Sequence, residues 1–293
     1  MNIIYNCLDR HVDAELGDEM MFLYSSPQSK ITAKLDYDQV CANTGKVANV
    51  FKNQFGIKPG DHVFFYAPTI PMILCLLLSC ARMGAVHNAC FGGVGPEQLA
   101  QRLDESNPSL IIVVSGAFEA LPAEERTEEN PYKIVKYAPI MDKALELCKK
   151  VDKSVRRLIY HRRELGGKLT DDDVDPEIYI DYKSVCEDDE LDEDDCDFFP
   201  STHPLYVAYT SGTSGPPVGI VRDHGSTAVA INYAMKHIFN ITRESVQFAA
   251  CHQAWSIGLD FMLYGPLLRG CKTVIWEGDP LYPDPFVLWT IIE

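Results

Sequence analysis

The sequence predicts an α/β fold in which mostly parallel sheets are flanked by helices. Short runs of branched and aromatic residues alternate with longer segments of helical periodicity, which is the pattern of strands joined by crossover helices. One run, residues 110–114, is apolar throughout, as expected for a strand that is buried on both faces of its sheet. Glycine and proline mark the boundaries between these segments.

The individual elements follow from periodicity and from their end signals. Apolar residues recur near helical spacing over 37–55, and Gly56 ends this helix. Pro71 and Pro96 each open a further helix, because the first turn has no use for a backbone N–H. The predicted helices span 37–55, 71–83, 96–103, 141–151 and 226–239, and the predicted strands span 62–67, 86–90, 110–114, 158–160 and 205–209.

Composition indicates a globular chain of one large domain or two small ones. The 293 residues are 46% hydrophobic, which is enough for a sizeable core. The longest apolar run, 72–81, reaches about half of the eighteen or so residues of a membrane span, so a buried helix is expected there. The ten cysteines form no Cys-x-x-Cys pair and have no histidine cluster near them. We therefore expect no metal site and no disulfide framework, but small hydrophobic thiols in a reducing compartment.

The net charge of −16 is concentrated in one acidic segment, residues 171–197. This segment holds fifteen of the 42 acids and a single base, Lys183. We expect a solvated surface loop here rather than a binding patch. The remaining surface has no basic excess, which argues against nucleic-acid binding.

Residues 209–219 carry the strongest indication of function and read YTSGTSGPPVG. They follow a predicted strand and precede the helix predicted from Ser226, a context that suits a phosphate cradle. Glycines allow successive backbone N–H groups to turn toward one anion, and the hydroxyl groups add donors. The lysine of a Walker A loop is missing, which excludes that motif in its usual form. On composition alone, a Gly/Ser-rich surface turn stays open as an alternative.

This segment resembles the signature loop of the AMP-forming, adenylate-forming enzymes, in ten of eleven positions. Other blocks resemble the short-chain acyl-CoA synthetases of that superfamily, of the acetyl- and propionyl-CoA synthetase type. These blocks are YNxLDRH at 5–11, ARxGAxH at 81–87, FGG at 91–93 and YGPL at 264–267. The resemblance covers essentially the whole chain and implies a partial N-terminal domain of an adenylate-forming enzyme.

The resemblance also implies a chemistry. Family members use ATP and Mg²⁺ to adenylate a short carboxylic acid, such as acetate or propionate, and the thiol of CoA then displaces AMP. The residues that would hold the β- and γ-phosphates are Thr210, Ser211, Gly212, Thr213, Ser214 and Gly215. The residues that match the acyl pocket are Trp255, Ser256 and Ile257, and those that match CoA-binding positions are Phe91, Gly92, Gly93 and Lys133. An ordinary core position for Trp255 and a simple turn at Gly92 and Gly93 stay open as alternatives.

Several positions depart from the family pattern. Val218 stands where the loop lysine is usual, and the loss of a fixed cation predicts weak or absent adenylation. His252 stands where an acid is usual, and we expect it to be a polar loop residue. Leu259 and Asp260 stand where the family usually has His and Ser. Lys133 is the one basic residue in a region where the family usually has two arginines that bind CoA.

The resemblance predicts the domain organisation as well. Residues 1–20 would end an N-terminal segment, and residues 21–293 would form an AMP-binding domain without its C-terminal lid, so no catalytic lysine can be assigned. Two hypotheses follow: an acetate- or propionate-CoA ligase, or an inactive relative that acts as a binding or scaffold protein. The expected partners are small molecules, with no nucleic acid and no membrane. The expected compartment is the mitochondrial matrix or the cytosol, because members of the family that the chain resembles work in both. No targeting signal follows Met1.

Overall fold

The computed structural model describes residues 1–121, 123–127, 132–165, 174–187, 191–210 and 218–293. Strands in these residues are β1 (Met20–Ser26), β2 (Ile31–Asp36), β3 (His62–Tyr66), β4 (Val86–Cys90), β5 (Leu110–Val114), β6 (Gly116–Ala120), β7 (Tyr132–Lys136), β8 (Arg157–Tyr160), β9 (Tyr179–Asp181), β10 (Pro204–Thr210), β11 (Val218–Asp223), β12 (Val246–Phe248) and β13 (Lys272–Trp276). Helices are α1 (Ile3–Cys7), α2 (Asp9–Asp13), α3 (Tyr37–Asn53), α4 (Pro71–Arg82), α5 (Pro96–Ser106), α6 (Ala138–Leu147), α7 (Tyr182–Cys186), α8 (His224–His237), α9 (Ser256–Gly258), α10 (Gly265–Arg269) and α11 (Val287–Ile292).

The largest sheet has the strand order β11-β10-β4-β3-β5-β8-β9. Its neighbouring strands run parallel, except that β11 is antiparallel to β10. Strands β4 and β5 are buried along their whole length, which the apolar run of β5 predicts. Helix α3 packs against α4, and α5 packs against α6. The expected α/β fold with mostly parallel sheets is therefore confirmed.

A second sheet has the order β12-β13-β1-β2, and strands β6 and β7 form a separate antiparallel hairpin. In the second sheet β13 lies parallel to both β1 and β12, while β2 closes one edge as the antiparallel partner of β1. Within the described residues, none of the helices is long and apolar enough to cross a membrane. A stretch of π-helix, Leu259–Tyr264, joins α9 to α10.

Three of the family blocks contact one another in the core: the block at 5–11, the block at 81–87 and the block at 264–267, which includes the first turn of α10. Arg82 at the end of α4 forms a bidentate ion pair with Asp9, with N–O distances of 2.6 and 3.0 Å. His11 Nε2 bonds the carbonyl oxygen of Leu267 at 2.8 Å. His87 on β4 bonds the Tyr264 hydroxyl at 2.6 Å. These motif residues therefore fix elements to one another.

The acidic segment is more structured than a solvated loop. Its described residues include the edge strand β9 and helix α7. Farther along, Lys52 on α3 forms ion pairs with Asp194 at 2.9 Å and Asp197 at 2.8 Å, and Arg82 donates to the Asp194 carbonyl oxygen. The expectation of a surface loop was therefore wrong for β9 and α7, whereas residues 191–197 have no regular secondary structure and are held against α3 and α4 by basic side chains.

Two other expectations are corrected. The helix expected at 141–151 is α6, which begins three residues earlier and ends at Leu147. The loop at 209–219 was expected to lead into a helix, but strand β11 follows it and pairs with β10, with Val218 opposite Thr210. The loop therefore connects two antiparallel strands, and α8 begins only at His224.

Candidate functional site

A cavity of about 510 Å³ lies where the ends of several elements meet. One wall is Phe91 and Gly92, which follow β4, and another is Glu277 and Gly278, which follow β13. The β6–β7 hairpin, the segment before α9 and the residues that follow β3 also contribute to the lining. Both β4 and β13 end in parallel sheets, and the carboxyl ends of such strands are the usual place for a ligand site.

Phe91 and Trp255 lie face to face in this lining. Their ring centroids are 6.0 Å apart and their planes differ by 13°. Trp255 is 48% exposed, so the alternative of an ordinary core tryptophan was wrong. The structure thus brings a residue that matches the CoA site into contact with one that matches the acyl pocket.

His252 forms part of the same wall. Its ring meets Phe91 edge to face with centroids 5.9 Å apart, and its Nδ1 accepts the backbone N–H of Ala254 at 3.0 Å. Burial lowers the pKa of His252 to about 4, against an ordinary value of 6.5. The ring is therefore neutral at physiological pH and adds no positive charge to the cavity.

Gly92 and Gly93 have different physical reasons to be glycine. A Cβ at Gly92 would collide with the Tyr137 hydroxyl, so the close approach of that ring requires glycine. Gly93 has φ of +80°, in the left-handed region that glycine occupies at no steric cost. Gly93 thus fits a turn, and the approach of the Tyr137 ring explains Gly92.

Among the described residues, three other predicted site residues do not line the cavity. Ser256 and Ile257 lie in α9 with exposed side chains, and Lys133 is an exposed residue of β7. Thr210 ends β10, while Ser211, Gly212, Thr213, Ser214 and Gly215 lie outside the described residues. Val218 begins β11 and is 56% exposed. The roles of these residues stay predictions.

Sequence reasoning missed a group of acids at the cavity. Glu277 accepts hydrogen bonds from Arg162 at 2.6 and 2.8 Å and from the Tyr24 hydroxyl at 2.7 Å. Asp279 forms an ion pair of 2.8 Å with Arg126. Glu119 on β6 also lines the cavity. Their positions follow from contacts between strands that are far apart in sequence, and no local pattern marks them.

The comparisons with known proteins agree with the fold and the motifs. The family model described as AMP-binding enzyme matches residues 11–293.

This chain belongs to the AMP-binding enzyme family.

Among the curated relatives, the mitochondrial acyl-CoA synthetase short-chain family member 3 of Bos taurus is 36% identical over 284 residues, which cover 96% of this chain and 38% of that protein. The mitochondrial acyl-CoA synthetase short-chain family member B of Dictyostelium discoideum is 34% identical over 301 residues and covers 100% of this chain and 41% of that protein. The chain thus spans about two fifths of the length of these relatives.

A solved structure supports the fold independently. The acetoacetyl-CoA synthetase from Streptomyces lividans superposes with a TM-score of 0.82 over 100% of this chain and 41% of that protein, at 22% sequence identity. At this identity the likeness shows the fold alone. The expected resemblance to adenylate-forming, short-chain acyl-CoA synthetases is confirmed at the level of the AMP-binding family and of its named relatives.

Proposed function

We propose that this chain is part of a short-chain fatty acid–CoA ligase that forms AMP. In this proposal acetate or propionate attacks the α-phosphate of ATP with Mg²⁺ present, pyrophosphate leaves, and the thiol of CoA then displaces AMP from the acyl adenylate. The observation that carries the proposal is the ring contact between Phe91 and Trp255 at one cavity. By the resemblance, Trp255 matches the stretch that lines the acyl pocket and the thiol tunnel, and Phe91 matches a position that CoA approaches, so this contact joins two predicted parts of the site.

The proposal assigns different work to different residues. Adenylation joins two anions, so it depends on donors that neutralise the charge of the transition state. The loop of Thr210 to Gly215 would supply backbone N–H and hydroxyl donors to the β- and γ-phosphates, and ATP-bound Mg²⁺ would supply positive charge. The Trp255 indole would end the acyl pocket and limit it to short acids. In this proposal residues 1–20 end an N-terminal segment and residues 21–293 belong to the AMP-binding domain. The protein would act in the mitochondrial matrix or the cytosol.

Removal of the indole tests this proposal. Compared with the native protein, the Trp255→Gly variant should have a ratio of kcat/KM for hexanoate to kcat/KM for propionate that is about ten- to hundredfold higher. The reason is that each added methylene group in an apolar pocket contributes about 1–3 kcal/mol. The measurement is carboxylate-dependent ATP–pyrophosphate exchange over a series of acids from acetate to octanoate.

Trp289 offers a matched control, because it is 66% exposed and does not line the cavity. Trp289→Gly should leave the preference for acid length unchanged. An unchanged preference in Trp255→Gly as well would show that the indole does not bound the acyl pocket, and exchange with none of these acids in the native protein would refute the ligase proposal.

A second candidate function is a binding protein without ligase chemistry. The observation that favours it is Val218, an apolar and 56% exposed side chain at the family's lysine position. If the missing cation alone limits adenylation, Val218→Lys should raise the exchange rate by about 100-fold, the effect of one charge-stabilising group at a transition state. Ile220→Lys is the control, because residue 220 lies on the same face of β11 and is also exposed.

The two variants together separate the candidates. A gain in Val218→Lys alone would support a ligase that has lost one group. An equal gain in Ile220→Lys would indicate general attraction of ATP by added positive charge. No gain in either variant would show that the missing cation does not limit adenylation and would remove the observation that favours the binding protein.

A further inference from the structure

One buried carboxylate holds both strands of the hairpin that carries the predicted phosphate loop. Asp260 accepts a hydrogen bond of 2.6 Å from the Tyr206 hydroxyl on β10 and one of 3.4 Å from Nη2 of Arg222 on β11. Tyr206 and Arg222 are partners in the antiparallel β10–β11 ladder, so both side chains lie on the same face of the hairpin. They lie four residues from Thr210 and Val218, the described ends of the loop.

Asp260 also belongs to the segment that carries the predicted acyl-pocket residues. Trp255 precedes α9, Ser256 and Ile257 lie in it, and the π-helix Leu259–Tyr264 follows it without a break. Asp260 is the second residue of that π-helix. Short π-helical stretches are rare overall and frequently lie at functional sites. The carboxylate therefore connects the acyl-pocket segment with the phosphate-loop hairpin.

Among the described residues, three contacts anchor this segment to the seven-stranded sheet. The Gln253 amide donates to the carbonyl oxygens of the two residues that follow β3, at 3.0 and 3.1 Å. Tyr264 bonds His87 on β4, and Asp260 bonds β10 and β11. The acyl-pocket residues thus lie between the anchor at Gln253 and the anchor at Asp260. Of the three contacts, the one at Asp260 reaches β11, the strand on the far side of the loop.

Burial makes the bonds of Asp260 necessary. Its side chain is buried, whereas that of Arg222 is 40% exposed. Burial raises the pKa of Asp260, and the bonds from Tyr206 and Arg222 oppose this rise. A carboxylate that leaves water is costly unless hydrogen bonds and an opposite charge replace the water. The serine that the family usually has at this position would bring no charge for Arg222, so the ion pair depends on the departure at Asp260.

We propose that Asp260 is a positioning residue that fixes the phosphate-loop hairpin relative to the acyl pocket. It acts through Tyr206 and Arg222 and not on a substrate. The carboxylate of the acid must approach the α-phosphate of ATP in line, and a displacement of about 1 Å can lower such a rate about 100-fold. The inference rests on the proposed ligase function, because the two segments have to be aligned only if both substrates react there.

Amide hydrogen exchange tests whether Asp260 holds the hairpin. Asp260→Asn keeps the shape of the side chain and can still accept from Tyr206, but it loses the charge that pairs with Arg222. Exchange at residues 218–223 should become about tenfold faster, the factor expected on loss of a hydrogen bond to a charged group. Exchange at these residues as slow as in the native protein would overturn the proposal whether or not the protein is a ligase.

Asp9→Asn is the matched control. It breaks the largely buried ion pair of Asp9 with Arg82, and neither residue lines the cavity. The free energy of unfolding should fall in this variant, whereas exchange at residues 218–223 should stay as in the native protein. Equally fast exchange in both variants would show a general loss of stability and would overturn the specific role of Asp260.

Steady-state kinetics test the catalytic consequence. In propionate-dependent ATP–pyrophosphate exchange, Asp260→Asn should lower kcat about 10- to 100-fold and change the KM for ATP and for propionate by less than about twofold. The reason is that the groups that bind each substrate remain while their relative position changes. Asp9→Asn should leave kcat unchanged. A higher KM with an unchanged kcat in Asp260→Asn would overturn the positioning role.

Arg222→Gln removes the same ion pair from its more exposed side. It should reproduce both the faster hydrogen exchange and the lower kcat, and it decides the question if Asp260→Asn does not fold. Combining the two substitutions should lower kcat no further than either alone, because they remove one interaction. Full additivity in kcat would overturn the proposal. Absence of pyrophosphate exchange in the native protein would refute the ligase and the catalytic use of Asp260 together, whereas unchanged hydrogen exchange refutes the role of Asp260 alone.

Discussion

His87 combines complete burial with an ionisable ring. It lies on the central strand β4, bonds the Tyr264 hydroxyl through Nε2 at 2.6 Å, and stacks on Tyr206 at 5.6 Å. Its Nδ1 is buried without a partner among the described residues. Burial, with a smaller effect of nearby His224, lowers the pKa of His87 to about 3. The folded protein therefore keeps this ring neutral across the physiological range.

This shift predicts acid sensitivity. The unfolded chain takes up a proton at His87 near pH 6.5, whereas the folded chain does so only near pH 3. Between these values the unfolded state binds more protons, so the free energy of unfolding falls as pH falls, by about 1.4 kcal/mol per pH unit for this residue. In His87→Gln that contribution should vanish, and urea titrations from pH 7 to pH 4 should show a shallower slope.

His237 gives the comparison for this experiment, because its side chain is exposed at the end of α8. His237→Gln should reproduce the pH slope of the native protein, although His87→Gln should lower it. His87→Gln also alters the buried contact with Tyr264, so its free energy of unfolding at any one pH is compared separately from the pH slope. Identical slopes in the two variants would mean that His87 is not kept neutral by the fold.

At the same scale, motifs made part of the site predictable. Phe91, Gly92 and Trp255 belong to recognisable blocks, and all three line the cavity. Glu119 and Tyr137 carry no such mark, because they reach the cavity only when β6 and β7 pair beside the end of β4. Their role depends on contacts across the fold, which the local sequence does not encode.

At the scale of elements, the five inner strands of the seven-stranded sheet were predicted, whereas its edge strands β11 and β9 and the strands of the second sheet were not. Strand β11 was missed because Val218, Ile220 and Val221 are all exposed, so its apolar residues do not alternate with polar ones. Residues 218–223 form a strand because they pair with β10, and the local sequence of β11 alone does not indicate that pairing. This correction places the two ends of the predicted phosphate loop on paired strands, because Thr210 and Val218 are partners in the β10–β11 ladder.

The early end of α6 has a tertiary cause. Periodicity continues to residue 151, but the backbone N–H groups of Lys149 and Lys150 donate to the carboxylate of Asp104 on α5, at 2.8 to 3.0 Å. These bonds divert the chain from the helix after Leu147. Backbone N–H bonds lower the pKa of Asp104 despite the opposing effect of burial, so the carboxylate stays charged as an acceptor. Helix propensity was correct, and a side chain from another helix overrode it.

At the scale of the whole molecule, one buried ion pair connects the two larger sheets. Arg162 follows β8 of the seven-stranded sheet, and Glu277 follows β13 of the four-stranded sheet. The Arg162 side chain is fully buried and that of Glu277 is 10% exposed. Arg162 also donates to Glu164 at 2.7 Å, and Tyr24 of β1 donates to Glu277. The cavity lies directly against this junction, since Glu277 lines it.

Breaking this pair should therefore destabilise the fold strongly. Arg162→Ala leaves the charge of Glu277 buried without its partner, and the expected loss is about 3–5 kcal/mol in the free energy of unfolding, measured by denaturant titration. Arg243→Ala is the matched control, because Arg243 pairs with Glu19 where both side chains are more than 40% exposed. Exposed pairs contribute about 0–1 kcal/mol, so this control should unfold almost like the native protein.

A second substitution distinguishes charge from packing as the cause of that loss. Adding Glu277→Gln to Arg162→Ala removes the stranded charge while the amide can still accept from Tyr24, so the double variant should be more stable than Arg162→Ala alone. If the double variant is no more stable, the loss comes from the cavity left by the arginine side chain. If Arg162→Ala costs no more than Arg243→Ala, water reaches the junction and the two sheets do not depend on this pair for their association.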